Sequence, residues 1–186
     1  MGEKRLSRGM IQVYTGDGKG KTTAAVGLAC RAVGHGYKVL IIQFIKGNIG
    51  QRATSGDYGE LETARRLAPH LTIRPMGRGC RISCASPDPE DVKLCHEAML
   101  YAQRAIASGE YDIVVLDEIN VAVDLGLLKK GEVLRLLDER PSHVELILTG
   151  RHAAQEIIDR ADLVTEMKEI KHYYRKGVES RTGIEK

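Results

Sequence analysis

Ile11-Gln12-Val13-Tyr14-Thr15-Gly16-Asp17-Gly18-Lys19-Gly20-Lys21-Thr22-Thr23 opens as an apolar run of strand length and breaks into a glycine–lysine loop. An alanine-rich, helix-like segment follows over residues 22–32. Strand, glycine loop and helix in that order are the context of a phosphate-binding loop. Glycines let backbone N–H groups curl around phosphate oxygens, and the helix N-terminus adds its partial positive charge. Lys21 supplies a point charge to phosphate, and the Thr22 hydroxyl is placed to ligate Mg²⁺. The pattern departs from G-x-x-x-x-G-K-[ST] at one position. Counting back from Gly20 puts Thr15 where the first glycine belongs, and the glycines fall at 16, 18 and 20.

Working outward, further strand-like runs occupy residues 38–45, 71–74, 112–117 and 145–149, beside the first at 10–15. A weaker sixth lies at 163–167. The runs IIQFI and IVVL are continuously apolar, as in strands buried on both faces of a parallel sheet. Helical patterns alternate with them at 89–107, 132–137 and 153–161. In the first of these, Val92, Cys95, Met99, Ala102 and Ile106 recur at spacings of three and four. Residues 47–59 and 77–79 read as glycine-rich loops. This alternation predicts an α/β fold: an open, mostly parallel sheet of five or six strands flanked by helices, P-loop NTPase-like (RecA-like). Ligands on such sheets bind at the carboxyl ends of the strands.

A second half of a nucleotide site lies at Ile113-Val114-Val115-Leu116-Asp117-Glu118, an apolar strand ending in an acidic pair, which is a Walker B pattern. Asp117 or Glu118 would hold Mg²⁺, directly or through water. Arg151, just past the strand at 145–149, is a candidate nucleotide contact. Asn120 and Asp124 are expected on a solvated turn after the acidic pair.

Composition sets the frame. The chain has 186 residues, 42% hydrophobic and 28% charged, the make-up of one globular domain over 1–186. Lys+Arg 28 against Asp+Glu 25 leaves a net charge of +3, too small to argue for nucleic-acid or membrane binding. Aromatic residues are 4% of the chain, with no Trp and one Phe, Phe44, which disfavours a stacking platform for a flat ligand. Residues 1–10 lack the apolar core of a secretory signal, and no run approaches the ~18 apolar residues of a membrane span. The cytoplasm is the expected compartment. Cys80 and Cys84, with Cys95 and His96 beyond, fit a zinc spacing only loosely. Cys95 falls on the apolar helix face, where a thiol behaves as a small hydrophobe.

Taken together, these segments resemble the P-loop type of ATP:corrinoid (cob(I)alamin) adenosyltransferases. The likeness is carried by TGDGKGKTTAA with its absent first glycine, GYKVLIIQFIKG, YDIVVLDEIN, ERPSHVELILTGRHA and ADLVTEMKEIKHYYRKGVESRTGIE, and it runs from about Gly9 to Glu185. The resemblance implies transfer of the 5′-deoxyadenosyl group of MgATP to the Co(I) centre of a reduced corrinoid, with release of triphosphate, in the making or salvage of adenosylcobalamin. The nucleotide would lie opposite to its direction in ordinary P-loop proteins. A homodimer and a flavoprotein or other cobalt reductant are implied as well. Nucleotide contacts are expected from Gly16, Asp17, Gly18, Lys19, Gly20, Lys21, Thr22, Thr23, Arg52 and Arg151. Metal contacts are expected from Thr22, Asp117 and Glu118, and catalytic roles from Lys21 and Glu118.

Three departures from the family pattern stand out. The chain ahead of the first strand is short, so the N-terminal extension that covers the active site in some members is expected to be missing or abbreviated. Residues 50–67 are longer than their counterpart. Cys80 and Ile82 stand where the family places two aromatics against the lower corrin face. Two other readings of the residues remain: an ordinary P-loop ATPase or phosphotransferase with Glu118 positioning water, and a non-catalytic nucleotide or corrinoid carrier.

Overall fold

A computed structural model describes residues 5–47, 58–78 and 87–185. Six parallel strands form one sheet in the order β3-β2-β4-β5-β1-β6. They are β1 (Ile11–Thr15), β2 (Val39–Gln43), β3 (Leu71–Pro75), β4 (Ile113–Asp117), β5 (Glu145–Thr149) and β6 (Leu163–Glu166). The helices are α1 (Lys21–Gly34), α2 (Gly59–Arg66), α3 (Pro89–Ser108), α4 (Ile119–Asp124), α5 (Lys130–Glu139) and α6 (Gln155–Arg160). A 3₁₀ turn at Tyr173–Lys176 precedes the C-terminal tail. The expected parallel α/β sheet is therefore present, with six strands.

Side chains alternate across each strand and build two core layers. Val39, Ile41, Ile113, Val115 and Ile147 meet Ala25, Ala29 and Ala32 of α1 and Ala64 of α2. Leu40, Ile42, Val114, Leu116, Leu146 and Leu148 meet α3, α4 and α5 on the opposite face. Residues of β2 and β4 are buried along their whole length, as their continuous apolar runs predict. In α3 the expected stripe is buried at Cys95, Met99, Ala102 and Ile106. Asp88 caps that helix by accepting the Glu90 N–H at 2.8 Å, with Pro89 at its first position and Gly109 in the left-handed conformation at its end.

Two helices depart from the sequence reading. Residues 59–66, divided above between a glycine-rich loop and unassigned chain, form α2. Its sequence GELETARR buries only Ala64, so no apolar stripe betrays it. The turn expected after the acidic pair is α4. There Asn120 is fully buried, not solvated, because the short helix packs under β5, where Gly150 leaves room for its Cβ. Asp124 does reach the surface and accepts a 2.8 Å contact from His152 Nδ1.

Candidate active site

Parallel strands bring their carboxyl ends to one edge, and the sheet order decides which ends are neighbours. Gln43 of β2 pairs with Asp117 of β4, and Tyr14 of β1 pairs with Thr149 of β5. The phosphate loop after β1, the acidic pair after β4, Thr149 and the exit of β2 therefore converge. A cleft of about 650 Å³ opens there, walled by Gly18–Thr23, Lys46, Glu118 and Arg151. Its other walls are Tyr58, Glu60 and Thr63 near the start of α2, and His172 and Gly183–Glu185 of the tail.

Asp117 is the hub. Its side chain is fully buried, and both oxygens accept hydrogen bonds. Oδ1 accepts from Thr22 Oγ1 at 2.8 Å and from Thr149 Oγ1 at 2.7 Å, while Oδ2 accepts from Lys46 Nζ at 3.1 Å. Lys46 also donates to Thr22 Oγ1 at 3.1 Å. Thr149 Oγ1 in turn accepts the backbone N–H of Glu118 at 2.9 Å. Glu118 sits in the left-handed region at φ 64°, unusual for a residue with a Cβ and of the kind found where function fixes the backbone. That conformation turns its side chain onto the cleft wall while Asp117 stays beneath Thr22.

The electrostatics follow from this crowding. Burial, then the neighbouring Asp117, pushes the Glu118 carboxyl above its usual range, against the pull of Lys46, Lys21 and Arg151. Burial lowers Lys21, with Glu118 opposing it. Burial also works against the Lys46 ammonium, but the Asp117 and Glu118 charges and the Asp117 hydrogen bond outweigh it, so Lys46 holds its proton more firmly than a free lysine. Lys21 folds back on the loop, donating to the Gly16 carbonyl at 2.5 Å and the Gly18 carbonyl at 2.8 Å.

Most of the sequence-derived residues come together here. Gly18, Lys19, Gly20, Lys21, Thr22, Thr23, Glu118 and Arg151 line the cleft. Gly16 and Asp17 do not: Gly16 supports Lys21 through its carbonyl, and Asp17 is exposed, 3.7 Å from His152. Gly18 donates its N–H to the Met167 carbonyl at 2.6 Å, so one loop amide serves the tail. A Cβ on Gly18 would lie 2.6 Å from that same carbonyl, which explains glycine at this position. Arg52, Cys80, Ile82 and Cys84 lie outside the described residues. Among the described residues no cluster of three or more His, Cys, Asp or Glu side chains forms a metal site.

Contributors not assigned from sequence are Lys46, Thr149, the α2-side walls Tyr58, Glu60 and Thr63, His172 and the tail end Gly183–Glu185. The available signal for Lys46 was its place three residues beyond the end of a buried strand, in QFIKG. The tail is clasped on itself. Tyr173 Oη donates to Glu185, Arg181 bonds Glu185 at 3.1 Å, and the Arg181 guanidinium lies 5.0 Å from the Tyr173 ring centre. Lys19 Nζ reaches the Ile184 carbonyl at 3.5 Å.

The donor set at the hub, a threonine hydroxyl with two carboxylates close by, is all hard oxygen. It suits Mg²⁺, which takes one or two carboxylates with phosphates and water completing its shell.

Among solved structures, the chain is similar in fold to a KaiC-like protein PH0186 from Pyrococcus horikoshii OT3. The TM-score is 0.56 at 17% identity, over 89% of this chain and 76% of that one. It is also similar to the flagellar accessory protein FlaH from Methanocaldococcus jannaschii, with a TM-score of 0.51 at 13% identity over 87% and 72%. These likenesses concern the fold alone. In sequence, a corrinoid adenosyltransferase of Escherichia coli (strain K12) is 39% identical over 179 residues, 96% of this chain and 86% of that protein. One of Pseudomonas aeruginosa is 35% identical over 184 residues, 98% and 86%. The model of the family ATP:corrinoid adenosyltransferase BtuR/CobO/CobP matches residues 7–185. The match takes in the phosphate loop, the acidic pair, Lys46, Thr149 and the tail, so that the chain is a transferase of the ATP:corrinoid adenosyltransferase family.

Proposed function

We propose that this chain transfers the 5′-deoxyadenosyl group of ATP to the Co(I) centre of a reduced corrinoid and releases inorganic triphosphate. The observation that carries the reading is the cleft itself. Its wall sets three lysines, an arginine and a helix N-terminus around one cleft, and among the described residues it holds no cysteine or other strong nucleophile. In this reaction the nucleophile comes with the substrate. The cobalt electron pair forms the Co–C5′ bond, cobalt rises from Co(I) to Co(III), and the C5′–O5′ bond breaks with its electron pair leaving on triphosphate. The protein's share is then positioning and charge stabilisation.

In this reading the loop amides and Lys21 hold the phosphate chain, and Lys19 and Arg151 add charge at its open side. Lys21 leaves the Gly16 and Gly18 carbonyls for phosphate oxygens, its natural partners. Thr22, Asp117 and Glu118 would hold Mg²⁺, which when bound neutralises charge developing on the triphosphate. Thr149 fixes the Asp117 carboxylate, and the tail residues His172 and Gly183–Glu185 screen the cleft from water. The ribose C5′ points outward to the corrinoid, opposite to the usual P-loop direction.

A homodimer belongs to the same proposal. β6 ends the sheet with an open edge that exposes Leu163 and Val164, and Ile170 and Tyr174 in the segment that follows leave further apolar surface exposed. The proposed setting is the cytoplasm, with a flavoprotein or similar donor reducing the cobalt. No helix among the described residues is long and apolar enough to cross a membrane.

The test uses ATP tritiated at C5′ with Mg²⁺ and chemically reduced cobalamin. The reading predicts a light-sensitive alkylcobalamin carrying the label. Label that stays entirely in nucleotide, under conditions where the protein binds ATP, would overturn it.

A further inference from the structure

Asp117 and Thr22 are the two groups best placed to take a divalent cation, and one side chain already holds the relevant lone pairs of both. Lys46 Nζ lies 3.1 Å from Thr22 Oγ1 and 3.1 Å from Asp117 Oδ2. The Thr22 hydroxyl hydrogen is committed to Asp117 Oδ1, which leaves its oxygen lone pairs facing Lys46. Asp117 is fully buried, whereas the Lys46 side chain retains 27% of its exposure and forms part of the cleft wall. An ammonium and a metal ion cannot coordinate the same oxygen lone pairs at once. A cation entering here has to displace a charged, hydrogen-bonded partner from a buried carboxylate, a costly exchange unless the ammonium finds another anion.

Nucleotide brings such an anion, more highly charged than the Glu118 and Glu60 carboxylates that already act on Lys46. Lys46 lies on the wall shared with Lys21, Thr22 and Glu118, so phosphate oxygens arriving in the cleft come within reach of its flexible stem. We propose that Lys46 is the resident counter-ion of the cation site. It keeps free divalent cations out of the protein alone and passes its ammonium to the phosphate chain when the metal arrives with ATP. Metal binding is thereby made conditional on nucleotide, and the triphosphate gains a third lysine beside Lys19 and Lys21. Lys46 is a positioning residue in this role. The inference rests on the reading of the cleft as a site for metal-bound ATP.

The experiment is a Mn²⁺ titration of the full chain followed by electron paramagnetic resonance, with and without ATP and with no corrinoid present. Wild type is expected to show no saturable Mn²⁺ binding in the millimolar range alone and clear binding with ATP. Lys46→Met is expected to bind Mn²⁺ without nucleotide at least about tenfold more tightly than wild type, because the competing charge is gone. Adding Asp117→Asn should reverse that gain. Lys46→Gln provides a second variant, and circular dichroism checks that each is folded. If wild type binds Mn²⁺ with ATP but neither Lys46 variant gains any without it, the role of Lys46 is wrong while the metal–nucleotide reading stands. If a gain survives Asp117→Asn, the shared-oxygen argument is wrong. If wild type fails to hold Mn²⁺ even with ATP, the underlying reading falls and this inference with it.

Discussion

Replacing Thr149 by valine removes one hydroxyl and leaves the shape of a fully buried side chain nearly intact. The hydroxyl has two duties, donating to Asp117 Oδ1 at 2.7 Å and accepting the Glu118 N–H at 2.9 Å. A hydrogen bond to a charged group contributes about 1.5–3 kcal/mol, and a buried N–H left without a partner costs about 1–3 kcal/mol. Asp117 keeps Thr22 and Lys46, so the lower half of the carboxylate range applies. The expected destabilisation is about 2.5–5 kcal/mol, a large share of the ~5–15 kcal/mol of a whole domain. For a chain of this size that is a drop of roughly 5–20 °C in Tm. Thr149→Ser keeps both bonds and loses one methyl group, a loss of about 1 kcal/mol. The assay is urea unfolding of both variants beside wild type, followed by circular dichroism without nucleotide. A Thr149→Val protein within about 1 kcal/mol of wild type, or equal to Thr149→Ser, would refute the claim that this hydroxyl ties the acidic pair to β5.

Three further outcomes are expected. Glu118→Gly relieves a left-handed backbone that costs a side-chain-bearing residue about 1–2 kcal/mol, less about 0.5–1 kcal/mol for the looser unfolded chain. The variant should therefore melt no lower than wild type while losing turnover, and a clear fall in Tm would contradict the strain argument. Glu185 is held down at about 2 by Arg181 and then Tyr173, against an ordinary value of 4.5. A depressed carboxylate contributes its stability fully above pH 4.5 and loses it as pH falls toward 2, so hydrogen-exchange protection over residues 181–185, corrected for the intrinsic pH dependence of the exchange rate, should fall across that window and stay flat above it. Cys95 is buried, and burial followed by Asp91 pushes its thiol up to about 12, whereas Cys30 is exposed. Peptide mapping after alkylation of the native protein should find Cys30 modified and Cys95 untouched until denaturant is added.

The parts of this site legible in the sequence are those encoded locally. The glycine loop, Lys21, Thr22 and the acidic end of β4 each declare themselves within a few residues, and the apolar runs of β2 and β4 announce a sheet covered on both faces. What escaped depends on strand order. Lys46 matters because β2 lies beside β4 with Gln43 opposite Asp117, and Thr149 because β5 lies on the other side of β4. No local pattern carries that adjacency. The tail reaches the phosphate loop because β6 pairs with β1, placing Met167 over Gly18. Helix α4 has six residues, too few to show a period, and begins only because Glu118 adopts a left-handed turn. The scarcity of aromatics gains a definite place as well: Tyr58 is the one Phe, Trp or Tyr side chain on the described cleft wall.

The central claim is that the chemistry takes place at C5′ and not at a phosphorus atom. Phosphorus NMR of a single turnover with ATP, Mg²⁺ and reduced cobalamin reads this directly. The account predicts one equivalent of inorganic triphosphate for each corrinoid alkylated. ADP with orthophosphate, formed in step with ATP loss and without alkylation, would contradict it and return the cleft to ordinary phosphoryl transfer.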